Sequence, residues 1–251
     1  MGTSISFNAL QGLAEVGAGD DLAGLLAAAM PTVATNDILV VAQKIVSKAE
    51  ARSVDLNTVS PSPRAQELAT ITGKDPRLVE LILAESSDVL RALPNILIVR
   101  HRLGYVMANA GIDRSNVPSA TGEERVLLLP VDADASAAAL RAALRSRLGV
   151  DLGIIISDSF GRPWRNGVVN VALGAAGLPS LVDRRGEPDR CGRGMEVTQV
   201  ALADALAAAA GLVMGEGAEG VPAVLVKGFD WSAPECAASA LIRPLAEDLF
   251  R

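Results

Sequence analysis

The chain has 251 residues, half of them hydrophobic, and a formal net charge of -6 at pH 7. That is ample material for a large buried core. The acidic balance excludes general nucleic-acid binding, and aromatics at 3% supply few platforms for stacking single-stranded bases. The only cysteines, Cys191 and Cys236, exclude a disulfide framework or a thiolate metal cluster, and no apolar run reaches the roughly 18 residues of a membrane-spanning helix.

In chain order, residues 1–8 lack a basic region followed by an apolar block, so no secretory signal is expected and the expected location is the cytoplasm. Strand-length apolar runs rich in Val, Ile and Leu stand at 38–41, 96–99, 126–129, 153–156 and 223–226. Bounded by turn residues, they read as buried strands. Helices are predicted between them. Ser62-Pro63 and Asp75-Pro76 each have the form of an N-cap followed by proline at the first helical position. Asp134 is expected to cap a helix carrying Leu140, Leu144 and Leu148 on one face, which Gly149 ends. An Ala-rich helix is predicted from about Thr198 to Ala210, and a last helix from about Pro234. Between Pro163 and Met195, Gly and Arg break any periodicity. Strands and helices do not alternate strictly, so the pattern predicts a mixed-sheet α+β protein.

The single histidine, His101, is informative by subtraction. It rules out a multi-histidine metal cluster within one chain, and it reads as a structural residue at a strand end. Chemistry must rest on Asp, Glu, Lys, Arg, Ser and backbone amides, an inventory suited to phosphates and divalent metals.

Five stretches carry such residues. Residues 153–165, GIIISDSFGRPWR, are read as a buried strand ending at Asp158-Ser159 before the chain turns. Asp158 and Ser159 are hard oxygen donors, and Arg162 and Arg165 suit oxyanions. Equally, Asp158 reads as a helix cap with the arginines paired at the surface. Residues 109–118 crowd Asn, Asp and Ser into a turn; Asp113 is either a second metal carboxylate or part of a plain loop. Residues 214–222, MGEGAEGVP, have glycines that let amides approach phosphate oxygens, though no Walker lysine follows. The same glycines fit a helix C-cap and connection. Glu216 and Glu219 would repel phosphate there unless a cation neutralises them. Residues 40–50 run from a strand into a basic segment, where Lys48 suits a phosphate and Gln43 and Lys44 line its path; a solvated helix face fits as well. Residues 183–198 are charged and Gly-rich, read as a mobile loop that grips an anion or reaches a partner subunit.

Taken together and in order, the stretches QGLAEV, GDDL, VVAQKIVSKAE, NAGIDRSNV, ISDSFGRPWRNGVVNVALG, CGRGMEVT and LVMGEGAEGVPAVLVKG resemble the coenzyme F420-0:L-glutamate ligase family, the CofE-like ligases. They span nearly the whole chain. The resemblance implies that L-glutamate is joined to the lactyl carboxylate of a deazaflavin phosphodiester, F420-0, with GTP converted to GDP and phosphate, and that further γ-linked glutamates follow in some members. It implies Mg²⁺ or Mn²⁺, with K⁺ assisting, and a CofE-like α+β fold of two lobes in an intertwined homodimer. The chain is expected to be one ligase unit over residues 1–251, without the fused nitroreductase-like domain of some relatives.

Carried over by position, the resemblance puts metal ligands at Asp113, Asp158, Ser159 and Glu216. It puts nucleotide contacts at Leu13, Ala14, Glu15, Val16, Gln43, Lys44, Lys48 and Asn116, and at Met214, Gly215, Glu216, Gly217, Ala218, Glu219, Gly220 and Val221. Asp113, Asp158 and Lys48 are the expected catalytic residues, assisted by Arg162 or Arg193. An acyl phosphate attacked by the glutamate amine fits this inventory and needs no histidine. Two other readings stand beside it: a metal-dependent nucleotide hydrolase, and a non-catalytic nucleotide-binding protein.

Overall fold

Residues 38–41, ILVV, show no alternation of polar and apolar residues because the strand they form is covered on both faces: all four are fully buried. The computed structural model describes residues 4–114 and 122–248. In chain order its elements are β1 (Ser6–Ala9), α1 (Leu22–Ala29), β2 (Ile38–Ala42), α2 (Gln43–Ala49), β3 (Ser53–Asp55), α3 (Pro63–Thr72), α4 (Pro76–Ala84), β4 (Ser86–Leu93), β5 (Ile96–His101), β6 (Val106–Ala108), β7 (Arg125–Leu127), α5 (Ala133–Leu148), β8 (Gly153–Arg162), β9 (Arg165–Ala176), β10 (Leu181–Asp183), β11 (Gln199–Ala201), α6 (Leu202–Met214) and β12 (Ala223–Lys227).

The main sheet runs β1-β12-β2-β8-β9 with β2 at its centre. Only β2 and β8 pair in parallel; the other neighbours are antiparallel. It is the mixed sheet of an α+β protein, as the non-alternating pattern predicts. Leu39, Val41, Ile154, Ile156 and Leu225 face α1, α2 and α5. Ile38, Val40, Ile155, Val224 and Val226 face α6. A separate core joins α3 and α4 to β5 and β7 through Leu68, Leu78, Ile82, Leu97, Val99 and Val126.

The helix signals at α3 and α4 hold in detail. Ser62 and Asp75 accept hydrogen bonds from the amides of Ala65 and Arg77, with proline in the first turn of each helix. Gly149 ends α5 at φ 71, the left-handed conformation that glycine takes without strain.

Five expectations are corrected. The strand at 153–156 does not end at Asp158-Ser159: β8 continues to Arg162, since β9 pairs along its whole length. Much of the stretch after Pro163, read as aperiodic, is the twelve-residue β9, which runs on through Gly167 and Gly174. At Gly174 a β-carbon would stand 2.0 Å from the Ala133 carbonyl, so glycine is what lets α5 start against the sheet. The cap of α5 is Asp132, not Asp134. Asp134 instead accepts from the amides of Ala175, Ala238 and Ser239, binding the helix start to β9 and to the C-terminal segment. The Ala-rich helix begins at Leu202, because residues 199–201 pair with β10. Finally, the region after Pro234 forms short 3-10 turns at Ala238–Leu241 and Leu245–Glu247 and, among the described residues, no α-helix.

Candidate functional site

Where β2 ends at Ala42, its parallel neighbour β8 goes on. Ala42 pairs with Ser157, so Asp158 and Ser159 project past the end of the central strand. The chain passes from β2 straight into α2 at Gln43, and α6 ends at Met214 on the other side of the sheet. These ends, the segment before α1 and the glycine loop after α6 enclose a cleft of about 840 Å³. Strand ends of this kind hold polar side chains rigidly at the mouth of a cavity.

The structure gathers most of the predicted residues here. Leu13, Ala14, Glu15, Val16, Gln43, Lys44, Lys48, Asp158, Ser159, Met214, Gly215, Glu216, Gly217, Ala218, Gly220 and Val221 line the cleft. Glu219 does not; its carboxylate folds back to accept from the Gly217 amide at 2.7 Å. Asp113 stands beside the cleft, its carboxylate 2.6 Å from Lys44 Nζ. Asn116 lies outside the described residues. Arg162 sits at the tip of the β8–β9 hairpin and donates to the Asn166 carbonyl, and Arg165 is exposed there; neither lines the cleft.

His101 is structural, as its place at a strand end suggests. It is fully buried, its Nδ1 accepts from the Leu103 amide, and its Nε2 is 3.5 Å from Glu85. Residues 183–198, read as a loop, form a hydrogen-bonded ribbon continuing β10 and β11. Gly186 and Asp189 donate their amides to the carbonyls of Met195 and Arg193. Arg193 is exposed on it and away from the cleft.

Electrostatics divide the cleft. Lys48 Nζ is 2.5 Å from Glu15 Oε1, and Lys44 serves Asp113, so both lysines of α2 hold carboxylate partners that are themselves partly exposed. Gln43 is buried and accepts from the Ser47 hydroxyl. Burial pushes the Asp158 carboxyl up to about 7; the charges of Asp113 and Glu216 add to the rise, against the Ser159 amide and Lys44. Negative charge is thus concentrated and poorly relieved. Among the described residues no three Asp, Glu, His or Cys side chains stand close enough to cage an ion. Yet the carboxylate and hydroxyl oxygens of Asp158, Ser159 and Glu216 are hard donors, and the excess charge fits a hard cation.

Two polar lining residues escaped the sequence reading. Ser157 and Asn170 are buried in the cleft wall, at 1% and 8% exposure. The signal for Ser157 was a hydroxyl directly following the apolar Ile154–Ile156 run; for Asn170, an amide among the apolar residues of β9.

An α+β protein with a polar, small-molecule cleft at the end of a mixed sheet is what fold and site define. Residues 12–228 match the family model described as F420-0:Gamma-glutamyl ligase. The chain is 46% identical to the Coenzyme F420:L-glutamate ligase of Methanothermobacter thermautotrophicus, over 98% of this chain and 99% of that one. Against the enzyme of the same name from Methanopyrus kandleri it is 48% identical, over 93% and 92% of the two chains. Against that from Natronomonas pharaonis it is 47% identical, over 96% and 92%. The chain belongs to the F420-0:gamma-glutamyl ligase family.

Proposed function

We propose that this protein joins L-glutamate to the carboxylate of the deazaflavin phosphodiester F420-0 in coenzyme F420 biosynthesis, using GTP. The observation that carries the reading is the cleft itself. It unites a basic helix face, a glycine loop and the carboxylates of Glu15, Asp158 and Glu216, drawn from three separate parts of the chain. That combination suits a triphosphate beside a metal and a carboxylate to be activated.

In this reading Lys48 and Lys44 turn from Glu15 and Asp113 toward phosphate oxygens, and the glycine loop approaches them once the Glu219 carboxylate releases the Gly217 amide. Asp113, Asp158, Ser159 and Glu216 would hold Mg²⁺ or Mn²⁺, which would supply charge neutralisation for the phosphoryl group in transfer. The acceptor carboxylate takes the γ-phosphoryl group and becomes an acyl phosphate; the glutamate amine then displaces phosphate. The protein is read as a homodimer. Trp164, Val197 and Leu212, at 89%, 84% and 89% exposure in the single chain, give large apolar side chains for a partner copy to cover.

Phosphate release tests the reading. It is expected to require GTP, metal, acceptor and L-glutamate together, and to fall by about a thousand-fold or more in Asp158→Ala. Release that proceeds at full rate without the acceptor favours a nucleotide hydrolase instead.

A further inference from the structure

Asn109, Ala110 and Gly111 follow β6 with φ values of 53°, 53° and 68°. Three residues in a row thus lie in the left-handed region. Glycine enters it freely and asparagine tolerates it, but alanine resists it, because the β-carbon crowds a neighbouring carbonyl oxygen. The turn closes where the Ile112 amide donates to the Asn109 carbonyl at 3.0 Å. It carries a second cost, since Asn109 Oδ1 is buried without a hydrogen-bond partner among the described residues. Such costs persist only where the surroundings impose them, and they cluster at functional sites.

The surroundings do impose this one. Ala110 is fully buried, its methyl belonging to the core that contains Leu97, Val99, Ile112 and Val126. A β-carbon at Gly111 would stand 2.7 Å from Met107 Cε and 2.9 Å from Leu129 Cδ1, so the next residue is hemmed in as well. Two residues on, Asp113 is bridged to β7. Its amide donates to the Leu127 carbonyl at 3.0 Å, and its carbonyl accepts from the Leu127 amide at 2.8 Å. The turn therefore carries the chain from the β4-β5-β6 sheet to the β3-β7 pair. It leaves the Asp113 carboxylate 2.6 Å from Lys44 Nζ on α2.

The origin of the other carboxylates gives this delivery its meaning. Glu15, Asp158 and Glu216 line the cleft from segments around the main sheet. Asp113 reaches its edge from the second core, and its charge acts on Asp158. A cation held by both must find oxygens that two different cores have placed, and donors fixed by rigid backbone hold such geometry best.

We infer that Ala110 is a positioning residue for Asp113: its buried methyl pegs the left-handed turn that sets this carboxylate beside Lys44, where it can share a cation with Asp158. The inference rests on the reading of Asp113 as a ligand of Mg²⁺ or Mn²⁺. Ala110 touches neither cation nor substrate and acts only through Asp113. Glycine at 110 would relieve the strain and remove the peg together.

The test is a cycle of Ala110→Gly, Asp113→Asn and the double variant, made in the full-length protein without nucleotide and read by Mn²⁺ paramagnetic resonance. Ala110→Gly is expected to weaken Mn²⁺ binding about ten-fold, the scale of losing an orienting partner. Asp113→Asn is expected to weaken it further. Adding Ala110→Gly to Asp113→Asn then changes affinity less than about two-fold, because the ligand that the turn aims is already gone. The melting temperature of Ala110→Gly stays within about 4 °C of the parent, since relief of strain offsets the lost methyl. A larger fall makes the turn a packing feature and overturns the inference. Unchanged Mn²⁺ affinity in Ala110→Gly overturns it, and so does an equal loss in both backgrounds, which marks general loosening. If Asp113→Asn binds Mn²⁺ as tightly as the parent, the placement of Asp113 in the cation site itself fails and takes the inference with it, a result distinct from the others.

Discussion

Lys44 Nζ stands 2.6 Å from Asp113 Oδ2. A lysine that the phosphate reading needs is therefore the counter-ion of a carboxylate that the metal reading needs. In the proposed reading, cation and lysine compete for the same oxygens until a triphosphate gives the lysine another partner. Lys44→Met is expected to tighten Mn²⁺ binding in the absence of nucleotide by about five-fold, the worth of a partly exposed ion pair near 1 kcal/mol. GTP affinity should fall in the same variant. Manganese paramagnetic resonance titration checks the first and calorimetry the second; unchanged Mn²⁺ affinity contradicts the competition.

Burial makes the ionised form of Asp158 costly to the fold. Its carboxyl is raised to about 7, chiefly by burial, so between the usual 3.8 and that value the folded protein holds a proton that the unfolded chain has released. The associated stability is present at low pH and lost as pH rises through 7. Above that, the metal-free protein carries a disfavoured charge. Asp158→Asn is expected to stabilise it at mildly alkaline pH by about 2 kcal/mol while abolishing turnover. Urea denaturation at two pH values checks the sign; a variant less stable than the parent at high pH contradicts it.

Glu85 shows the opposite linkage, far from the cleft. Burial favours its neutral form, but His101, Arg52 and Arg102 overcome that and bring the carboxyl down to about 2 from 4.5. Its contribution is present above the ordinary glutamate range and is lost as pH falls from 4.5 toward 2, with a full value of about 3 kcal/mol. Glu85→Gln is expected to lose that amount near neutral pH and to match the parent in strong acid. Equal destabilisation at both ends of the range contradicts the charge-based account.

Asp134 is the polar joint of the main sheet. Its carboxylate accepts from Ala175 N at 2.9 Å, Ala238 N at 2.8 Å and Ser239 N at 3.0 Å. Asp134→Ala is expected to cost about 3 kcal/mol, because two part-buried amides and an exposed one lose a charged acceptor at once. Chemical denaturation measures it. A loss below about 0.5 kcal/mol, the scale of an ordinary surface change, contradicts the assignment.

The site was legible where chemistry is local. The Gly-rich run from Met214, the Asp158-Ser159 pair and the lysines of α2 each announce oxyanion or cation chemistry, and the fold brings them to one cleft. Strands without alternation, such as residues 38–41, announced burial on both faces. What escaped depends on partners distant in sequence. Asn170 reads as a break in an apolar strand until α6 covers it across Gly211. Asp134 has the look of a helix cap, yet its partners lie 41, 104 and 105 residues away. Gly174 of β9 suggests irregularity and instead admits the start of α5. Residues 199–201 continue a helical composition but are drawn into pairing with β10.

The central claim is glutamyl transfer, and product mass tests it most directly. The purified protein is incubated with the deazaflavin phosphodiester, L-glutamate, GTP and Mn²⁺, each omitted in turn, and the acceptor is followed by mass spectrometry. The account predicts product heavier by one or more glutamyl units only when all four are present, and the number of increments gives the number of additions. An acceptor of unchanged mass, whether or not GTP is consumed, contradicts it.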